Sequence, residues 1–277
     1  MRSTEISPDR REVLDKIEEK ERVGLFNDPV EQDLEAKELL PNQVDYLCKK
    51  LSSKIKRNIA NAIADRYFLN LIKKDVLIVD AITGEENLTA LQDGAVITCN
   101  HFSPFDNYVL FHVIRRHLPK KYLYKVIREG NYTNFPGLYG FFFRHCNTLP
   151  LSRNRRTMMD FTKSVNTLLK NGETVLIYPE QEMWWNYRKP RPMKVGAFKI
   201  AKKAGVPIVP AFITMQDDGR LDGNGYPLQR HTVHILPAVY PNGLTAEEMM
   251  EKTYEAYKEK YEEVYGLPLV YEKEKEK

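Results

Sequence analysis

From residue 76 onward, short runs of apolar residues alternate with longer stretches in which apolar positions return every three or four residues. The runs at 76–79, 95–99, 122–127, 175–178, 208–214 and 232–240 are rich in Val, Ile, Leu and Tyr and predict strands. The stretches at 105–117, 155–171 and 195–205 have helical spacing, and Gly172 and Gly205 supply stop signals where a left-handed residue ends a helix. A last helix is predicted over 245–265, opened by Thr245 as N-cap with Glu247 and Glu248 in its first turn. Strands alternating with helices predict an α/β fold with a largely parallel central sheet flanked by helices.

Ahead of this alternation the pattern differs. Residues 1–45 are polar, with helix-like patches at 11–22 and 29–40. Then Leu51, Ile55, Ile59, Ile63, Tyr67, Phe68 and Leu71 recur at helical spacing among Lys54, Lys56, Arg57, Arg66, Lys73 and Lys74. This basic amphipathic helix, whose Leu51, Ile55, Ile59 face suits an anionic membrane surface, fits equally well packed against a protein core. The expected division is an N-terminal helical segment at 1–74 and a main domain at 75–277, with 272–277 a solvated tail.

Composition narrows the classes. Hydrophobic residues make up 42% and charged residues 29% of 277, an ordinary globular balance with enough chain for one large core. Cys48, Cys99 and Cys146 are odd in number and widely spaced, which predicts neither a disulfide framework nor a zinc site and points to a reducing setting. No apolar run reaches the roughly 18 to 20 residues of a membrane span, and the start of the chain is charged where a signal peptide is apolar. The expected location is therefore cytoplasmic, peripheral on the inner face of the cell membrane. The net charge of +4 conceals 27 basic against 15 acidic residues in 51–246, a surplus that favours anionic partners. No nucleic-acid motif accompanies it, and a nucleic-acid partner is not expected.

Candidate chemistry gathers at Asn100-His101-Phe102-Ser103-Pro104-Phe105-Asp106, directly after the predicted strand at 95–99. An imidazole and a carboxylate on one turn at a strand's carboxyl end stand where open α/β sheets bind ligands. They are a candidate general base and the group that orients it. The same spacing also fits a satisfied loop histidine beside a first-turn acid. Ser103 lacks a GxSxG elbow, and the histidine spacing matches no metal motif, so neither a serine hydrolase nor a metal centre is expected.

Three later blocks change the standing of that turn: Leu149-Pro150-Leu151-Ser152-Arg153-Asn154, Val175-Leu176-Ile177-Tyr178-Pro179-Glu180 and Val206-Pro207-Ile208-Val209-Pro210. Their order and spacing after His101 resemble the glycerolipid acyltransferase family, specifically its bacterial 1-acylglycerol-3-phosphate O-acyltransferases, over roughly residues 75–240. The resemblance implies a glycerol-phosphate acyltransferase-like fold with an N-terminal helical appendage. It also implies transfer of an acyl group from acyl-CoA or acyl carrier protein to the hydroxyl of lysophosphatidic acid, with no bound cofactor or metal. His101 is then the base and Asp106 its partner; Arg153 and Lys125 hold the acceptor's phosphate, and Glu180 helps bind the acceptor's glycerol part or shapes its site. The chain departs from the family after Glu180, where a Gly is usual and Gln181 stands instead, followed by a longer loop ending near Arg188. Gln181 is expected to narrow the acceptor pocket and Arg188 to replace a missing cation. Trp184, Trp185 and Tyr187 suit either a bilayer interface or packing beneath a loop. This departure leaves open another lysophospholipid or glycerol-phosphate-like acceptor, or a catalytically silent lipid-binding protein on the same fold.

Overall fold

The computed structural model describes residues 8–31, 35–223 and 225–271. Apolar runs that must bury both faces require a sheet covered on both sides, and the strands β1 (Ile78–Thr83), β2 (Ala95–Cys99), β3 (Leu123–Ile127), β4 (Thr148–Pro150), β5 (Thr174–Ile177), β6 (Ile208–Leu221) and β7 (Pro227–Ile235) form one such sheet. Its order is β1-β7-β6-β2-β5-β3-β4, and every pairing is parallel except the β6–β7 hairpin. The central strand β2 is buried at every residue.

Where the strands differ from expectation, pairing explains it. β6 extends to Leu221 and β7 begins at Pro227 because the two register against each other far beyond the parallel core, from Ala211–Ile235 out to Leu221–Pro227. Of the predicted 236–240 only Val239 makes a bridge, to Ile208. β4 was not predicted; three residues carry too little pattern to be read, and β3 supplies its pairing.

The helices α3 (Asp106–Ile114), α6 (Arg155–Lys170), α7 (Gly196–Ala204) and α8 (Ala246–Tyr265) follow the predicted segments. Asn154 caps α6 by accepting from the N–H groups of Arg156 and Thr157, and Thr245 and Glu248 close a capping box on α8. Gly205 ends α7 in the left-handed region at φ 74°, as a stop signal should. α6, α7 and α8 cover one face of the sheet around Phe161, Phe198, Phe212 and Tyr257. The other face holds α3 and α2 (Leu51–Lys73) around Phe68, Leu110 and Ile97. Two short helices, α4 (Glu129–Thr133) and α5 (Gly137–His145), lie between β3 and β4, and α1 (Pro8–Arg22) opens the described chain.

The helical patch expected at 29–40 is not seen: residues 35–40 carry no helix, and 32–34 lie outside the described residues, as does the tail at 272–277. Instead this part of the chain is held along the carboxyl ends of the strands. Tyr46 donates to the Pro150 carbonyl at 2.9 Å, and the Leu39 N–H to Glu129 at 2.7 Å. α2 is apolar on two sides. Ala60, Ala64, Phe68 and Leu71 turn inward, whereas Leu51, Ile55, Ile59 and Ile63 form an exposed row at four-residue spacing. Tyr67 meets Tyr139 of α5 (O···O 2.8 Å), and Phe135, Leu138 and Tyr139 are exposed as well. Among the described residues no helix is long and apolar enough to cross a membrane.

Candidate active site

β2 ends at Cys99, and the chain turns at 104–105 into α3, whose first residue is Asp106. The turn folds His101 back onto Asp106, so that Nδ1 lies 2.7 Å from Oδ2. A carboxylate can only accept, which puts the proton on Nδ1 and leaves Nε2 as the basic nitrogen. The same Oδ2 accepts from the N–H groups of Phe102 (3.1 Å) and Ser103 (3.2 Å), and Oδ1 from the Tyr178 hydroxyl (2.5 Å). Asp106 is fully buried, while 22% of the His101 side chain stays exposed. Four donors thus fix the carboxylate, and it fixes the imidazole.

Tyr178 does two things at once. Its ring stacks on His101, centroids 4.0 Å apart and planes 18° from parallel. Burial, reinforced by the neighbouring charge of Asp106, pushes its phenol well above the usual tyrosine range, so it remains a donor to that carboxylate. Tyr178 stands in the third block of the sequence, but nothing there distinguished it from a strand residue.

Glu180 was expected to face the acceptor. It is 2% exposed, and its oxygens are occupied by protein: Oε1 accepts from the Arg191 N–H at 3.0 Å, and Oε2 from the His101 N–H at 3.2 Å and from Arg191 Nε and Nη2 at 3.2 and 3.0 Å. It braces the dyad's backbone and is not free to bind glycerol. Lys125 is also displaced from its expected role. It sits in mid-strand, two residues short of the carboxyl end of β3, where burial lowers its ammonium pKa beside the Cys146 thiol and Asp65. The cation at that strand's exit is Arg128, 2.8 Å from Glu182.

Arg153 does reach the crevice end of the sheet. It is 63% exposed and is held by Glu129 at 3.2 Å and by the Ala36 carbonyl at 2.6 Å. β4 stands three places from β2, about 14 Å at ordinary strand spacing. Arg153, Arg155 and Lys163 line an open groove of about 430 Å³ with Ser152 and Met158. Beneath them Glu129 was overlooked in the sequence. Burial alone raises a carboxyl, but donors from Leu39, Ser152 and Arg153 hold it below its ordinary value.

The long loop after Glu180 is turned inward. Gln181 keeps the left-handed backbone that glycine adopts freely, at φ 66°, with its side chain exposed; it preserves the turn and does not fill a pocket. Arg188 is drawn away to the β6–β7 hairpin, on Asp217 at 2.5 Å and Gln229 at 3.2 Å, and supplies no cation to the crevice. Trp184 and Trp185 are 0% and 7% exposed, which removes them as membrane contacts. Trp184 packs with Ile17 and Val30, and Arg10 lies over the Trp185 ring at 4.6 Å, so the N-terminal chain covers both.

The chain is similar to known proteins in sequence and in fold. The acyltransferase family model matches residues 81–214, which hold β2, the His101–Asp106 turn, Arg153 and Glu180. Two curated relatives named as 1-acyl-sn-glycerol-3-phosphate acyltransferases are similar in sequence. That of Brassica napus is 32% identical over 145 residues, 52% of this chain and 39% of the relative. That of Chlamydomonas reinhardtii is 32% identical over 167 residues, 58% and 47%. The chain thus spans less than half the length of either. The crystal structure of the 1-acyl-sn-glycerophosphate acyltransferase PlsC from Thermotoga maritima superposes with a TM-score of 0.53 at 21% identity, covering 81% of this chain and 87% of that one, and shows a shared fold. Residues 81–214, built around β2, thus match the acyltransferase family model, and the chain shares its fold with a solved 1-acyl-sn-glycerophosphate acyltransferase.

Proposed function

We propose that the protein acylates lysophosphatidic acid at the membrane surface, giving phosphatidic acid, with His101 as general base. The observation that carries the reading is the His101 Nδ1 to Asp106 Oδ2 contact of 2.7 Å at the exit of the central strand. An alcohol becomes a competent nucleophile when its proton is drawn off during attack. Nε2 of His101 takes the proton from the acceptor hydroxyl, whose oxygen bonds to the thioester carbonyl carbon. The tetrahedral centre collapses with loss of the C–S bond, and the leaving thiolate recovers the proton from the imidazolium. Asp106 stabilises that imidazolium, and no acyl-enzyme forms.

The acceptor's phosphate falls to the cations above β3 and β4, with Arg153 the main ligand through its planar fork. The donor is a thioester of coenzyme A or of acyl carrier protein. The exposed row of Leu51, Ile55, Ile59 and Ile63, flanked by lysines, brings the site to the lipid surface from the cytoplasmic side.

A matrix of both donors against lysophosphatidic acid and other lysophospholipids tests the assignment. Turnover is expected to be highest with lysophosphatidic acid and to fall 10²- to 10⁴-fold in His101→Ala, the usual worth of a general base. A folded His101→Ala variant within tenfold of wild type overturns His101 as the base. A wild-type protein that consumes no thioester with any acceptor returns the chain to a silent lipid binder.

A further inference from the structure

Next to the dyad lies an ion pair that the proposed chemistry does not use. Glu180 and Arg191 are 2% and 1% exposed and 3.0 Å apart. Taking two charges out of water is costly, and such a pair persists only where its hydrogen bonds are met. Here they are met by particular groups. Arg191 Nη1 donates to the Phe26 carbonyl at 3.1 Å, Nη2 donates to the Glu182 carbonyl as well as to Glu180, and the guanidinium lies 4.8 Å from the Trp184 ring centroid.

What the pair holds is the backbone of His101. That residue lies beyond the end of β2, outside the ladder that positions Cys99. Its N–H donates to Glu180, and its carbonyl accepts from the Trp184 N–H at 3.1 Å; the next carbonyl, of Phe102, accepts from the Asn186 N–H at 2.9 Å. Both backbone groups of His101 therefore depend on the loop from Glu180 to Arg191. That loop in turn is fastened to the N-terminal chain. Trp184 Nε1 donates to the Asp28 carbonyl at 3.2 Å, while Tyr187 and Lys189 both reach Glu21, at 2.9 and 2.5 Å.

We propose that Arg191 is a positioning residue for acyl transfer, acting through Glu180 on His101, and that residues 8–31 form a strap that keeps it in place. The inference rests on the proposed acyl transfer only for its kinetic readout. Its second readout, the Nδ1–H resonance of His101, belongs to the geometry whatever the reaction.

Arg191→Lys keeps the charge and loses the fork. Turnover is expected to fall at least tenfold while KM for donor and acceptor stays within threefold, and the His101 Nδ1–H resonance in nitrogen-15 NMR should shift or broaden. Arg191→Ala should be slower still and should regain activity with millimolar ethylguanidinium, which fits the space vacated. A folded Arg191→Lys with wild-type turnover and a wild-type His101 resonance overturns the proposal. Should both variants fail to fold, Tyr187→Phe decides, because it removes one strap contact and keeps the ring. A threefold or greater loss of turnover with a perturbed His101 resonance supports the strap, and wild-type values for both overturn it. If the wild-type protein transfers no acyl group, the functional reading falls and the resonance alone decides the positioning role.

Discussion

At His101 the imidazole is constrained on three sides: Asp106 at Nδ1, the Tyr178 ring against its face, and loop 180–191 on its backbone. The contribution of Tyr178 is separable, because Tyr178→Phe keeps the stack and deletes only the 2.5 Å donor to Asp106. A hydrogen bond to a charged group is worth about 1.5–3 kcal/mol, so turnover should drop roughly ten- to a hundredfold with little change in KM. Steady-state kinetics check this, and unchanged turnover would leave the phenol as a packing group. Gln181 shows the opposite economy. The family's usual Gly permits a left-handed turn, and Gln181 occupies that same conformation at φ 66°. The residue type there differs from that usual Gly, and the backbone it adopts is one that glycine reaches without strain.

At the scale of elements, α2 carries two apolar faces with different partners. Phe68 stacks on Tyr108 at 4.2 Å and belongs to the core, whereas Ile55 and Ile59 are 51% and 49% exposed. An exposed row of this length is more than scattered surface hydrophobicity, and it is the face proposed to meet the lipid surface. Replacing Ile55 and Ile59 together by Asp removes apolar area worth roughly 1.5–3 kcal/mol per side chain and sets negative charge against an anionic surface. Pelleting with anionic liposomes should fall at least tenfold while the circular dichroism and melting temperature stay near wild type. Unchanged pelleting of the folded variant would assign membrane contact elsewhere. In the loop after Glu180 packing decides between the two readings of its tryptophans: they serve as the floor on which residues 8–31 lie.

Across the whole molecule, the strands on the far side of β6 are joined through buried histidines. His234 is bonded at both nitrogens, Nδ1 with Thr83 at 2.8 Å and Nε2 with Thr214 at 2.9 Å, linking β1, β6 and β7. Burial, with the nearby Lys260 charge, lowers its pKa to about 4, against 6.5 when unfolded. The unfolded chain therefore binds a proton first as pH falls. The neutral ring's contribution is fully present above about 6.5 and is lost as pH falls toward 4. Stability should drop by on the order of 2 kcal/mol between pH 7.5 and pH 5. Urea unfolding at the two pH values measures it, and His234→Asn should flatten the slope. An unaltered slope in that variant would move the effect to His231, whose pKa burial also lowers.

Whatever depends on local pattern was legible before any folding. β2, the ends of α6 and α7, the capping of α8 and the turn that pairs His101 with Asp106 all follow from residues within a few positions of one another. Order and spacing of the four blocks sufficed to point to the acyltransferase family whose model matches residues 81–214. Tertiary structure alone decided which groups surround that pair, because their partners lie far away along the chain. Arg191 reaches Phe26 across 165 residues, Trp184 reaches Asp28 across 156, and Leu39 reaches Glu129 across 90. No periodicity records such contacts. Hence Glu180, Lys125 and Arg188 read as ligands although each is engaged or buried by packing, and nothing in the N-terminal stretch announces that the Phe26 and Asp28 carbonyls bond to the site's own loop. A side chain's chemistry is written in its residue type, but whether it is free to act depends on what the fold has already bonded to it.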